Sequence, residues 1–291
     1  MNIKQSLVAL SQRLSQAGFE QAGLEAELLL ACAIQKEREF LLSYPELALN
    51  SKQKRLLNKL VKRRLAHEPM AYILGEQSFF NIKLRVDKRV LIPRPETEKL
   101  VELVLKDRPS KDATILDLGT GSGAIIITLA SNLGEAHQFI ATDISSKALR
   151  VARDNAKSNG QETRIEFVKS DLLKKLLRQR KWLASKNLVI VANLPYVESD
   201  WQKALTAEQI KELKYEPSLA LLAGEDGFDL YRQLASDLKS LIKKFDLKVR
   251  LYAEIAPTQA NLFSHDFAEL GAVKLERDLN GRIRIGVMKQ F

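Results

Sequence analysis

The stretch from Ala113 to Ala130 constrains this chain more than any other. An apolar run, A-T-I-L-D-L, breaks into Asp117-Leu-Gly119-Thr-Gly121-Ser-Gly123 and resumes at once as A-I-I-I-T-L-A. A buried strand that feeds a helix through so short a glycine loop belongs to a parallel sheet of βα units. The glycines let the backbone turn sharply and approach a ligand at a helix N-terminus. Their spacing is G-x-G-x-G after an acidic residue, whereas the dinucleotide fingerprint sets its third glycine one residue later. That spacing favours a ligand without pyrophosphate. Asp117 at the start of the loop repels phosphate and suits the ammonium of a methionyl group.

The sheet continues on both sides of that loop. Apolar strands alternate with helices from Lys111 onward: A-T-I-L-D-L, Q-F-I-A-T-D, R-I-E-F-V-K-S, N-L-V-I-V-A-N, K-V-R-L-Y-A-E-I, G-A-V-K-L-E-R-D and R-I-R-I-G-V-M. The last two are separated only by Leu279-Asn280-Gly281, and Asn-Gly is a strong tight-turn signal, so an antiparallel hairpin closes the sheet. Seven strands with a closing hairpin fit the methyltransferase variant of the doubly wound fold better than the six-stranded dinucleotide version. Residues 3 to 66 carry apolar residues at helical spacing, punctuated by Gly18, Gly23 and Pro45. Residues 78 to 92 alternate apolar and polar side chains, which predicts a hairpin with Asp87-Lys88 at its turn. The expected organisation is therefore an N-terminal helical domain over 1–72, a β-hairpin linker over 73–95 and a catalytic α/β domain over 96–291.

Two further acidic residues extend the candidate cofactor site. Asp143 ends the second strand twenty residues after Gly123, where a carboxylate can accept both ribose hydroxyls. Asp171 and Leu172 follow the third strand, where a polar group can take the exocyclic amine of adenine and leucine can cover the ring. Carboxylates also cap helices at such points. The candidate cofactor set is thus Asp117, Gly119, Thr120, Gly121, Ser122, Gly123, Asp143, Asp171 and Leu172, together with Asn193.

Asn193-Leu194-Pro195-Tyr196 follows the fourth strand, at the carboxyl end of the sheet where such folds bind ligands. These residue types suit a planar nitrogen acceptor, whose lone pair is conjugated and which must be held in place. The Asn193 oxygen can accept one N–H and a backbone carbonyl near Leu194 or Pro195 the other. Proline fixes the chain direction, and Tyr196 offers a flat face for stacking. Asn193, Pro195 and Tyr196 are the candidate catalytic residues, and Asn193 through Tyr196 the candidate substrate site. The motif alone does not separate a side-chain amide from an adenine.

Bulk properties narrow the class. The chain has 291 residues, 45% hydrophobic and 28% charged, an ordinary globular composition. No stretch approaches the roughly 18 to 20 uninterrupted apolar residues of a membrane helix, and the amphipathic N-terminus lacks a signal-peptide core, so a cytoplasmic protein without membrane contact is expected. Cys32 stands alone in an apolar run and reads as a buried inert thiol. His67, His137 and His265 have no metal-ligand spacing, so no metal is expected. The net charge of +10 suits an acidic partner. Its densest stretch, Lys52 to Arg64, keeps Leu56, Leu57, Leu60 and Val61 at helical spacing and turns its cations to the opposite face. That face is either simply solvated or touches RNA or an RNA-bound partner.

Taken together, these motifs resemble the peptide-chain release factor N(5)-glutamine methyltransferases, the PrmC or HemK family. The resemblance spans essentially the whole chain. It rests on the helical N-terminus, the run L-I-P-R-P-E-T-E from Leu91 to Glu98, Asp117 to Gly123, Asp143, and Asn193 to Tyr196. Tyr215 to Pro217, Leu219 to Leu222, Gly224 to Gly227, and Asp278 to Arg282 add to it. It implies a seven-stranded class I S-adenosylmethionine-dependent (Rossmann-like) domain with a small N-terminal helical domain joined by a β-hairpin. It also implies S-adenosyl-L-methionine as cofactor, S-adenosyl-L-homocysteine as product, and methylation of the glutamine in the Gly-Gly-Gln motif of class I release factors in translation termination. A monomer is expected, and direct RNA contact is not required. The family usually has N-P-P-Y where this chain has Leu194. N-L-P-Y resembles the motif of ribosomal RNA adenine dimethyltransferases, so an adenine acceptor, or a glutamine of a ribosomal protein, is the alternative. Those RNA enzymes lack the I-P-R-P-E-T-E run and carry their helical domain after the catalytic one.

Overall fold

Asn2 and Asn50 each start a helix in the same way. The side chain accepts the backbone N–H three residues on, and the glutamine there, Gln5 or Gln53, reaches back to the asparagine N–H. These reciprocal caps satisfy two otherwise unpaired donors each. They fix the ends of α1 (Ile3–Gln16) and α4 (Ser51–Leu65); α2 (Ala22–Ile34), α3 (Arg38–Ser43) and α5 (Met70–Leu74) complete the helical run. The computed structural model describes residues 1–178, 185–196, 198, 206–221, 223–278 and 280–290. It divides into two units, the first made of Met1–Gly75 and Thr206–Tyr215, the second of the other described residues.

Leu10 and Leu14 of α1, Leu29 and Leu30 of α2, and Leu57 and Leu60 of α4 form the core of the first unit. Cys32 lies half-buried beside this core rather than within it. Lys52, Lys54, Arg55, Lys59 and Lys62 of α4 face solvent as the helical spacing requires. Arg64 does not. It is buried over the Phe19 ring, 4.1 Å from its centroid, and donates to Glu25 at 2.7 and 2.8 Å and to Glu212 at 2.7 Å. Two carboxylates and an aromatic face compensate its lost hydration. Glu212 sits in the helix Ala207–Leu213, so a segment far along the chain completes the packing of the N-terminal helices. Tyr215 adds a hydrogen bond from its hydroxyl to the Ala66 carbonyl, 2.9 Å.

The second unit begins with an antiparallel hairpin, β1 (Glu76–Phe79) and β2 (Ile82–Arg85). Its turn is Phe80-Asn81, not the expected Asp87-Lys88. Glu98 accepts the Phe80 N–H at 2.8 Å and so holds the early turn, while Asp87 is taken up by a local ion pair with Arg89. Pro95 opens α6 (Pro95–Lys106) at a position where a missing N–H costs nothing. There follow β3 (Thr114–Leu118), α7 (Ala124–Asn132), β4 (Gln138–Asp143), α8 (Ser146–Ser158), β5 (Ile165–Lys169) and β6 (Asn187–Ala192). The helix Ala207–Leu213 is α9; α10 (Asp229–Phe245), β7 (Lys248–Glu254), α11 (Ala260–Ala268), β8 (Ala272–Arg277) and β9 (Ile283–Lys289) complete the chain.

All seven strands read from the sequence form one sheet, in the order β5-β4-β3-β6-β7-β9-β8. The first five are parallel; β9 runs antiparallel to both β7 and β8. Asp278 shapes the closing hairpin by accepting the N–H groups of Asn280 and Arg282; Leu279 of the expected turn, like Leu222, lies outside the described residues. Alternate strand residues bury against opposite helical layers. Ile115, Val189 and Tyr252 pack with Ile126, whereas Leu116, Ile190 and Leu251 pack with Leu234 and Leu238. The crossovers diverge between β3 and β6, which opens a crevice at their carboxyl ends. The register sets Leu118 beside Ala192 and Ala192 beside Ala253, so the glycine loop, Asn193 and Glu254 emerge from adjacent strands.

Candidate active site

The glycine loop leaves β3 with Gly119, Gly121 and Gly123 all at positive φ, 71°, 55° and 85°. Gly123 is the residue before α7, and a Cβ there would stand 2.7 Å from Cδ1 of Ile127 and 3.3 Å from Cβ of Ala152. Both conformation and space therefore exclude a side chain. Asn155, fully buried on α8, ties the loop to the hairpin. Its amide donates to the Ser122 carbonyl at 2.8 Å and the Arg85 carbonyl at 3.0 Å, and its oxygen accepts the Arg85 N–H at 2.7 Å.

Asp117 lies beneath the loop with no exposed surface. One carboxylate oxygen accepts the Thr120 hydroxyl at 2.7 Å; Oδ1 has no hydrogen bond among the described residues. Burial, with the nearby Asp143 charge adding to it, pushes this carboxyl up to about 7. A buried acidic oxygen without a donor fits a cationic ligand group. Asp143, at the end of β4, accepts Gly121 N–H at 3.0 Å on one oxygen and Ser145 N–H at 2.7 Å on the other. These bonds fix its plane and leave each oxygen a further lone pair. Burial raises its affinity for a proton as well, against the pull of those two N–H groups.

A cavity of about 210 Å³ opens above this floor, within the second unit. Gly119 to Ser122, Asp143, Asp171 and Leu172 line one part of it; Asn193, Leu194 and Pro195 line another. Asp171 forms an ion pair with Lys174, and Leu172 is buried at a φ of 44°. Gly123, Asp117 and Tyr196 do not line the cavity. Asp117 adjoins it through Thr120, and Tyr196 adjoins it through Pro195. Thr97, Arg94, Pro217 and Leu219 are also among the lining residues, Leu219 being 60% exposed and apolar. Arg94 forms an ion pair with the buried Glu216, which also accepts the Ile92 N–H at 3.1 Å. The I-P-R-P-E-T-E and Y-E-P segments thus meet through one carboxylate.

Tyr196 is held at both ends. Its hydroxyl donates to Glu254 at 3.2 Å, and its carbonyl accepts from Gln259 at 3.1 Å. Gly227 must be glycine here, because a Cβ would fall 2.3 Å from the Tyr196 carbonyl oxygen. Burial and the Glu254 charge push the Tyr196 phenol well above its ordinary range, so it stays protonated and donating. Asn193 donates from Nδ2 to the Thr97 hydroxyl at 2.9 Å, and Thr97 donates to Glu254 at 2.6 Å. Tyr231, fully buried on α10, donates to the Glu254 backbone carbonyl at 2.6 Å and receives the Leu194 N–H at 3.4 Å. That N–H is one a proline at 194 would lack.

Sequence patterns did not reach Glu254, Tyr231 or Asn155, and marked Thr97 and Glu216 only as members of the I-P-R-P-E-T-E and Y-E-P segments, without a role of their own. Glu254 had a usable signal: a carboxylate directly after the apolar run L-Y-A at the end of the strand K-V-R-L-Y-A-E-I. A charge on a buried strand of a parallel sheet needs a partner or a function. Among the described residues no helix is long and apolar enough to cross a membrane.

Comparison with known proteins gives three kinds of likeness. Residues 5–75 match the PrmC N-terminal domain and residues 109–273 a methyltransferase domain. The release factor glutamine methyltransferase of Coxiella burnetii is 40% identical over 83% of this chain and 82% of its own. A bifunctional methyltransferase of Rickettsia bellii is 34% identical over 94% of this chain, which spans 52% of that longer protein. Among solved structures, the N-terminal domain of human METTL16 in complex with SAH shares the fold. It has a TM-score of 0.50 and 18% identity, over 79% of this chain and 83% of that one.

Proposed function

The chain belongs to the release factor glutamine methyltransferase family, and from this we propose that it methylates the side-chain amide nitrogen of a glutamine in class I peptide-chain release factors. The acceptor is the glutamine of their Gly-Gly-Gln motif and the methyl donor is S-adenosyl-L-methionine. The carrying observation is that Gly119 to Ser122, Asp143 and Asn193 to Pro195 line one cavity. The adenine alternative is not favoured, because relatives that align over most of the chain are named for release factor glutamine.

Asp117 and the loop Gly119 to Gly123 would hold the methionyl end, Asp143 the ribose hydroxyls, and Asp171 with Leu172 the adenine. The bound cofactor supplies an electrophilic methyl on a sulfonium; the chain's own residues must present the nucleophile to it. An amide nitrogen is a poor nucleophile, so orientation carries most of the work. Asn193 Oδ1 accepts one N–H of the glutamine and a backbone carbonyl near Leu194 or Pro195 the other. Pro195 stiffens that turn, and Tyr196, tethered at its hydroxyl and its carbonyl, backs it. No strong general base is needed, since the nitrogen becomes acidic once the methyl has arrived.

The helical unit docks the factor in this reading, and the protein acts as a cytoplasmic monomer. Asn193→Ala tests the site itself: turnover falls on the order of 100-fold, about 2.7 kcal/mol, while calorimetric cofactor affinity stays near wild type. Near-normal turnover in that variant would remove Asn193 from the chemistry.

A further inference from the structure

We propose that Thr97 and Glu254 are positioning residues that fix which way the Asn193 side-chain amide points. This rests on the reading above, in which Asn193 accepts a hydrogen bond from the substrate nitrogen.

Glu254 ends β7 with 1% of its surface exposed and presents two carboxylate oxygens, each with a single donor among the described residues: Thr97 at 2.6 Å and Tyr196 at 3.2 Å. Burial raises the proton affinity of Glu254, and the Thr97 and Tyr196 hydroxyls oppose it by favouring the ionised form; that carboxylate accepts and does not donate. A threonine hydroxyl has one proton, and Thr97 commits it to Glu254 across the shorter, charge-assisted bond. What Thr97 has left is lone pairs, and these face Asn193 at 2.9 Å. Asn193 must therefore turn its NH₂ toward Thr97, which leaves Oδ1 as the end available to a substrate. The flipped amide would set Oδ1 against the Thr97 lone pairs and offer the substrate N–H group another donor.

Thr97 lies in the I-P-R-P-E-T-E run and Glu254 at the carboxyl end of β7, 157 residues apart. Neither is needed to form a local element: Thr97 is inside the first turn of α6, and Glu254 is the last residue of β7. Their conjunction with Asn193 gives the I-P-R-P-E-T-E run a task in the chemistry. A carboxylate held by two donors is anchored in place, so the chain Glu254 to Thr97 to Asn193 has one polarity.

The test uses full-length protein with S-adenosylmethionine and a release factor as acceptor. Thr97→Val keeps the volume and deletes the hydroxyl; kcat should fall on the order of 10-fold with cofactor affinity near wild type, and Tm should fall because a buried Glu254 oxygen loses its donor. Thr97→Ser, which restores the hydroxyl, should recover most of that loss. In an Asn193→Ala background, adding Thr97→Val should change kcat by less than about 2-fold, since a residue that acts through Asn193 has nothing left to orient. The inference is overturned if Thr97→Val turns over at the wild-type rate, if the serine variant is as slow as the valine one, or if the full loss persists without Asn193. Wild-type protein that transfers no methyl to the factor would defeat the glutamine reading and this inference together, whereas wild-type transfer with an unimpaired Thr97→Val would defeat the inference alone.

Discussion

Asp117 illustrates how much of this site is a matter of single protons. A carboxyl raised to about 7 from an ordinary 3.8 keeps, in the folded chain, a proton that the unfolded chain has lost. Between these values the folded state binds more protons, so stability without cofactor falls as pH rises through that window and levels off above about 7. A cationic group beside Oδ1 reverses the preference, because it binds the ionised form. The stabilisation conferred by S-adenosylmethionine, read as a Tm shift, should therefore grow from pH 6 to pH 8, and Asp117→Asn should flatten that growth. An unchanged pH profile in Asp117→Asn would dissociate Asp117 from the cofactor. Asp117, Asp143 and Asn193 are visible in the sequence because each ends a strand or opens a loop, where local pattern and position coincide. Thr97 shows only as one letter of the I-P-R-P-E-T-E run and Glu254 only as a carboxylate at a strand end; nothing local marks the bond between residues that distant. The position of Leu194 is a case between: the sequence shows a departure from proline, and only the fold shows that its N–H faces Tyr231.

At the scale of elements, periodicity did most of the work. Each of the five parallel strands of the large sheet has apolar residues buried on both faces, as parallel strands covered on both sides must, whereas the edge strand β8 turns only Val273 and Leu275 to the core; all seven lie where the apolar runs predict them. The small hairpin was harder. Its alternation extends beyond its last pair, since Val86 and Val90 are buried outside the strands, and so the pattern alone set the turn too late. Helix α4 shows the opposite limit, for Arg64 carries the same letter as its solvated neighbours and only three-dimensional partners make it a core residue. Leu42 in the C-terminal half of α3 is 76% exposed and Tyr44, just beyond the helix, 55%, more apolar surface than a short helix gains anything by showing to water. If this unit docks the factor, Leu42→Glu should raise KM for the release factor on the order of 5-fold, leaving kcat and cofactor affinity in place. An unchanged KM would move docking away from α3. Point substitution is the cleaner test than removal of the N-terminal helices, which would strip Glu212 and Tyr215 of Arg64 and Ala66.

For the molecule as a whole, the sequence order does not follow the structural units. The segment Thr206–Tyr215 leaves the α/β unit after the Asn193 to Tyr196 motif, packs with the N-terminal helices, and returns at Glu216, which pairs with Arg94 at the cavity. No composition shift announces that excursion, because its amphipathic helix reads like any other between two strands. The chain thereby links the Asn193 to Tyr196 motif covalently to the helical unit. The claim that unites these parts is that the cavity exists to methylate one glutamine. Transfer of a labelled methyl group from S-adenosylmethionine to a class I release factor, compared with the same factor carrying alanine for the glutamine of its Gly-Gly-Gln motif, tests it most directly. The account predicts label on the first factor and none on the second. Equal labelling of both, or label found only on ribosomal RNA, would contradict it.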